Sequence, residues 1–168
     1  RCIDSYRRDV PVCDNVAKQV AMACHKHLPV IYTADEEMEV VGRRWRNQFN
    51  ENAKVLALSN VLPEMNHNEI VGWSALQNYA TKWPVFFLQD KGDHRKVKRR
   101  FEVTAEILQE SCGDIYSINS DGRGLLARLF SLIVLGDFVS VYLSILNKVD
   151  PSPIPPINRL KAQLASRK

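Results

Sequence analysis

The sequence predicts a three-layer α/β sandwich, with a mostly parallel sheet of about four to five strands flanked by helices, and three observations predict it. First, short apolar runs, most of them rich in β-branched and aromatic residues, recur along the chain: Val30-Ile31-Tyr32, Val55-Leu56-Ala57-Leu58, Val85-Phe86-Phe87-Leu88 and Ile115-Tyr116-Ser117-Ile118. Second, the stretches between them carry apolar residues every three or four positions, so strands alternate with helices as in βαβ units. The Val55 run is nearly continuous in apolar residues, as a strand covered on both faces should be. Third, 168 residues with 45% apolar and 25% charged content suit one globular domain with a real core.

Residues 1–10 are polar, give no firm structural signal and read as an interdomain connector, leaving 11–168 as the domain. The chain opens on Arg1 rather than methionine and reads as a piece of a longer protein. From Pro11 the pattern is helical, with Val12, Val16, Val20 and Ala23 on one face and an end near Pro29. Val30 to Tyr32 forms the first strand. A helix follows from Glu36, its core stripe Met38, Val41, Trp45 and Phe49, and it gives out at Asn50-Glu51-Asn52. Val55 to Leu58 is the second strand, and a short helix carries Ile70 to Ala80. Val85 to Leu88 is the third strand, followed by a helix from Asp93, its N-cap, to Glu110. Ile115 to Ile118 is the fourth strand, and the longest helix runs from Leu125 to about Lys148. Asp150 to Pro156, with four prolines, reads as an extended crossing segment. It delivers an amphipathic turn or two from Ile157 to Leu164, bearing Lys161.

The net charge of +4 owes much to His94-Arg95-Lys96-Val97-Lys98-Arg99-Arg100. Such a run can mark nucleic-acid binding, but no aromatics interleave with it, and Glu102, Glu106 and Glu110 stand ready to pair with it along the helix. No nucleic-acid partner is expected. The Leu125 helix is apolar on several faces, yet Arg123, Arg128 and Asp137 interrupt it, so it reads as a core or subunit-interface helix and no membrane partner is expected. Cys2, Cys13 and Cys24 recur eleven positions apart, close to three helical turns, and read as one buried face. Without a signal peptide or paired spacing, the cysteines point to a reducing cytoplasm. His25 and His27 read as solvated residues of a helix tail.

The stretch from Trp45 to Trp73 is the most unusual. Asn50 and Asn52 bracket Glu51, Asn66 and Asn68 bracket His67, and Glu69 follows. Amides flanking a carboxylate and an imidazole at element ends are a way to orient both for proton transfer. Arg44-Trp45, Asn50-Glu51-Asn52-Ala53-Lys54, the segment Leu62-Pro63-Glu64-Met65-Asn66-His67-Asn68-Glu69-Ile70 and Gly72-Trp73 resemble the C-terminal sugar isomerase (SIS) domain of bifunctional phosphoglucose/phosphomannose isomerases. So does the far end, at Tyr142-Leu143, Asp150-Pro151, Ile157 and Leu160-Lys161. The resemblance runs from about Val30 to Leu164 and implies an SIS-type, flavodoxin-like fold.

It also implies a reaction, the interconversion of glucose 6-phosphate and mannose 6-phosphate with fructose 6-phosphate through an enediol. In that scheme Glu51 is the base, His67 opens the sugar ring from the partner subunit of a homodimer, and Lys161 contacts the reacting oxygens. Asn50, Asn52, Asn66, Asn68 and Glu69 are expected to bind substrate. Base, imidazole and cation supply the three chemical types such a proton transfer asks for, so no cofactor is expected. Glu64, His67 and Glu69 make a weak metal cluster without a third close histidine or cysteine, so no metal is expected. The resemblance further implies an N-terminal SIS domain in the same chain, holding the phosphate on Ser/Thr-rich loops, and hence little turnover by these residues alone. The alternative is a non-catalytic sugar-phosphate-binding regulatory module, which would need no base at Glu51.

Overall fold

The computed structural model describes residues 2–34, 37–76 and 78–166, with only the backbone of Cys2. Four parallel strands, β1 (Val30–Ala34), β2 (Leu58–Leu62), β3 (Val85–Gln89) and β4 (Ile115–Asn119), form one sheet in the order β2-β1-β3-β4. The register places Val30 beside both Leu58 and Val85, and Val85 beside Ile115. β1 is buried along its whole length and β3 along all but Gln89. As predicted for a parallel sheet, both faces are covered.

The helices are α1 (Cys2–Ser5), α2 (Val16–Cys24), α3 (Glu37–Glu51), α4 (Glu69–Trp73), α5 (Arg95–Leu108), α6 (Leu125–Leu146) and α7 (Pro155–Ala165). α3 packs on the sheet, with α6 and α2 behind it. Alternation along β3 sorts the faces: Phe86 lies 6.3 Å from Trp45 of α3, and Phe87 lies 5.2 Å from Phe101 of α5. Met38, Val41, Trp45 and Phe49 are all buried, the core stripe the spacing predicts. Trp45 donates from Nε1 to the Leu132 carbonyl at 2.8 Å. Gly136 makes that approach possible, because a Cβ there would sit 2.3 Å from the same nitrogen.

Several boundaries move. The second strand is Leu58–Leu62, not Val55–Leu58. It is an edge strand, mostly half-exposed, and the apolar run leads into it, with Ala57 buried and Leu56 in solvent. The first helix starts at Val16, capped by the Asn15 side chain, and buries Ala17, Val20, Ala21 and Cys24, while Val12 and Val16 are exposed. α5 is capped by His94 rather than Asp93. α7 begins at Pro155 and Pro156, where the missing N–H groups of a first helical turn cost nothing, so the extended segment is shorter than its prolines suggest.

The cysteines share no face: Cys13 is exposed on a 3₁₀ turn, Cys24 and Cys112 are buried, and the side chain of Cys2 lies outside the described residues. His25 is half-buried rather than fully solvated, its Nδ1 being 2.8 Å from Asn147 Oδ1. The polar lead-in is ordered against α6. Tyr6 is buried 5.7 Å from the Phe138 ring, and its carbonyl accepts from the Tyr142 hydroxyl. Of the three charges that interrupt the apolar run, Arg123 lies before α6 and the other two are paired, Arg44 gripping Asp137 at 3.0 and 2.9 Å and Arg128 meeting Asp90 at 2.7 Å. α6 is long and apolar enough to cross a membrane by length and composition alone. Here Leu132, Leu135, Val139 and Leu143 bury one face of it.

Candidate functional site

Chain direction decides where the candidate residues lie. α3 leaves the carboxyl end of β1 and runs back across the sheet, about 22 Å at 1.5 Å per residue, so its last residue, Glu51, sits at the amino edge of the strands. His67 follows the carboxyl end of β2, at the last position of a 3₁₀ turn over Glu64–His67. Within this chain the two therefore stand at opposite edges of the sheet.

Glu51 faces a cleft of about 430 Å³ lined by Asn47, Asn50, Glu51, Lys54 and the segment Pro153 to Ile157. Its carboxylate is exposed and makes no hydrogen bond or ion pair with any described residue. α7 starts on the wall of this cleft, and Lys161 lies one turn beyond Ile157, exposed and likewise without a partner among the described residues. α7 buries nothing: Ile157, Leu160 and Leu164 are 41%, 56% and 64% exposed. Glu51 and the start of the helix that carries Lys161 thus belong to the same edge, and His67 does not.

The bracketing asparagines do not touch the groups they bracket. Asn50 donates to the Arg46 carbonyl at 2.8 Å, and Asn52 donates to Gln48 at 2.6 Å and Ser140 at 3.0 Å. Asn66 bridges α5, donating to Thr104 Oγ1 at 2.9 Å and accepting from Arg100 at 3.3 Å. Asn68 donates to Glu64 at 2.7 Å and caps α4 by accepting from the Glu69 N–H. Short amides fixing chain ends is the ordinary chemistry of asparagine. His67 is exposed and free of partners among the described residues, on a turn whose flanking amides are both hydrogen-bonded.

Glu69 turns toward the sheet. One oxygen accepts from the buried Tyr32 hydroxyl at 2.5 Å and the other from Asn60 at 2.6 Å, while Trp73 Nε1 donates to Tyr32 at 2.8 Å. Burial, with the Glu69 carboxylate added, pushes the Tyr32 hydroxyl well above the usual phenol range. Sequence reading passed over Tyr32 and Asn60. The available signal was a tyrosine inside an otherwise apolar strand, which must find a partner for its hydroxyl.

The carboxyl edge also holds a cleft of about 610 Å³, reached by Ala34, Leu62, Pro63, Asp90, His94 and Arg128. Burial would raise the Asp90 carboxyl, but hydrogen bonds from Arg128, Ser120 and the Gly92 N–H outweigh it and hold the group below the usual carboxylate range. Burial raises Asp93. Asp90 is thus closed into a polar network at this edge, whereas the Glu51 carboxylate at the amino edge has no partner among the described residues.

Residues 13–164 match the family model for the bacterial phospho-glucose isomerase C-terminal SIS domain. The chain is 38% identical over 165 residues to a bifunctional phosphoglucose/phosphomannose isomerase of Caldicellulosiruptor bescii, covering 98% of this chain and 49% of that protein. It is 36% identical over 147 residues to an Aquifex aeolicus protein of the same description, covering 88% of this chain and 45% of that one. The chain therefore spans about half the length of the curated relatives it matches. A solved glucose-6-phosphate isomerase like protein from Thermus thermophilus superposes with a TM-score of 0.77 over 91% of this chain and 51% of its own, at 22% identity, a likeness of fold. With the family match running over nearly all of the ordered sheet and helices, the chain belongs to the bacterial phospho-glucose isomerase C-terminal SIS domain family.

Proposed function

We propose that this chain is the base-bearing half of an aldose–ketose isomerase that interconverts glucose 6-phosphate and mannose 6-phosphate with fructose 6-phosphate. The observation that carries the reading is the unpaired Glu51 carboxylate in a cleft that α7 helps to wall. Glu51 takes the proton from the carbon next to the carbonyl and returns it to the neighbouring carbon. Lys161, from the helix that starts at the cleft, offsets charge on the enediolate oxygens. Both aldoses lose the proton that distinguishes them, so one base serves both.

His67 stands at the opposite sheet edge of its own protomer, which fits a role in the site of a second copy, where it opens the sugar ring. A two-fold homodimer places each His67 against the other's Glu51. The phosphate is held by an N-terminal SIS domain, a partner in keeping with the doubled length of the relatives. Cytoplasmic hexose phosphates are the substrates.

The test is hybrid formation in the full-length protein. Glu51→Gln and His67→Asn are each inactive alone. Mixed after subunit exchange, they form dimers with one wild-type site, and activity returns to at most about a quarter of wild type, the statistical share for a two-fold dimer. A mixture that stays inactive while both variants fold and exchange would overturn the shared site. Unchanged turnover in Glu51→Gln would instead favour a regulatory sugar-phosphate-binding module.

A further inference from the structure

We infer that Lys54 is a positioning residue for the isomerase site, holding the Glu51 helix end and the α7 arm at a fixed separation. The inference rests on the isomerase reading above. Lys54 Nζ donates to three carbonyl oxygens, those of Glu51 at 2.6 Å, Pro153 at 2.8 Å and Pro151 at 3.1 Å. An ammonium has three protons to give, and all three are used. Lys54 is therefore not the cation that meets the sugar. It ties the last turn of α3 to the segment that launches α7.

The backbone supports this use of the side chain. Lys54 has φ of 56°, in the left-handed region where glycine is the easier residue. The turn is otherwise closed by main-chain bonds, Asn52 N–H to Gln48 at 2.8 Å and Val55 N–H to Phe49 at 3.0 Å. A glycine would complete it with less strain, so the stability of the turn gives no reason for lysine. The three carbonyl bonds supply one. α7 buries no residue of its own in this chain, and its start is held beside Glu51 by this clamp. Without the clamp, the distance from the Glu51 carboxylate to Lys161 would vary with every motion of the proline segment.

The experiment compares wild type, Glu51→Gln and Lys54→Gly in the full-length protein, measuring kcat and KM for fructose 6-phosphate together with the melting temperature. Glycine suits the turn, so Lys54→Gly melts close to wild type. KM stays within about threefold, while kcat falls about 30- to 100-fold, the scale of a misplaced reacting group. Lys54→Met, which keeps the aliphatic stem, is read by the same criteria should the glycine variant melt early. A kcat within about threefold of wild type, or a loss confined to KM, would overturn the positioning role. The isomerase reading fails separately, if wild type shows no turnover or Glu51→Gln retains it.

Discussion

Glu51 and Glu69 begin from the same ingredients and end in opposite states. Each is a carboxylate at a helix end with asparagine beside it, and each lies within the most distinctive stretch of the sequence. Glu69 has both oxygens occupied, by Tyr32 and Asn60, and its helix begins at the carboxyl edge. Glu51 has neither oxygen occupied among the described residues and lies on a cleft at the amino edge. The difference comes from reach. Glu69 follows β2 closely enough for two strands to offer it donors, whereas α3 carries Glu51 across the sheet and away from those strand side chains. A proton shuttle needs a carboxylate whose lone pairs are free, and residue type alone does not identify which one is free.

Substitution separates the two most sharply. Glu51→Gln in the full-length protein lowers isomerase kcat by about a thousandfold, within the range for removal of a general base, and leaves the melting temperature near wild type. Glu69→Ala leaves the Tyr32 hydroxyl and the Asn60 amide without their acceptor, and it lowers stability by about 2 kcal/mol. Its effect on kcat is far smaller than that of Glu51→Gln. Thermal melts and coupled kinetics on the two variants check both, and the contrast between the residues breaks if their effects trade places.

The carrier of Glu51 can be tested next. Gly136→Ala puts a methyl group 2.3 Å from Trp45 Nε1. Either α3 shifts or the bond to the Leu132 carbonyl is lost, at a cost of about 2–3 kcal/mol for an overpacked core site. Chemical denaturation reads the loss. Because α3 holds Glu51, kcat should fall along with stability, while Glu69, on the other side of the sheet, keeps its partners.

The layered fold was legible because it depends on local periodicity, and the stripe from Met38 to Phe49 is buried as its spacing requires. The position of β2 was not, because an apolar run marks burial and not strand pairing. Val55 to Ala57 only approach the sheet, and the parallel register with β1 begins at Leu58. The separation of Glu51 from His67 follows from topology once chain direction is known, and strand order is a non-local property. The partners of Glu69 were hidden for the same reason, Tyr32 being 37 positions away in sequence. Lys54 was visible as a residue within the Asn-Glu-Asn-Ala-Lys string, but its three acceptors come from carbonyls, which every sequence has.

The smallest effect is the pH dependence of the polar network around Asp90. The Asp90 carboxyl titrates below its ordinary value in the folded chain, because the bonds from Arg128, Ser120 and Gly92 outweigh burial. A group with a depressed folded value contributes stability that is complete above the unfolded value, about 3.9, and is lost as pH falls through the folded one. Asp93, raised by burial, works in the opposite sense and costs stability once it ionises. Urea midpoints measured from pH 7 downward should therefore hold, or rise slightly as Asp93 takes up its proton, and then drop below about pH 4. Asp90→Asn flattens that drop and lowers the neutral plateau, since the amide cannot replace the carboxylate opposite Arg128.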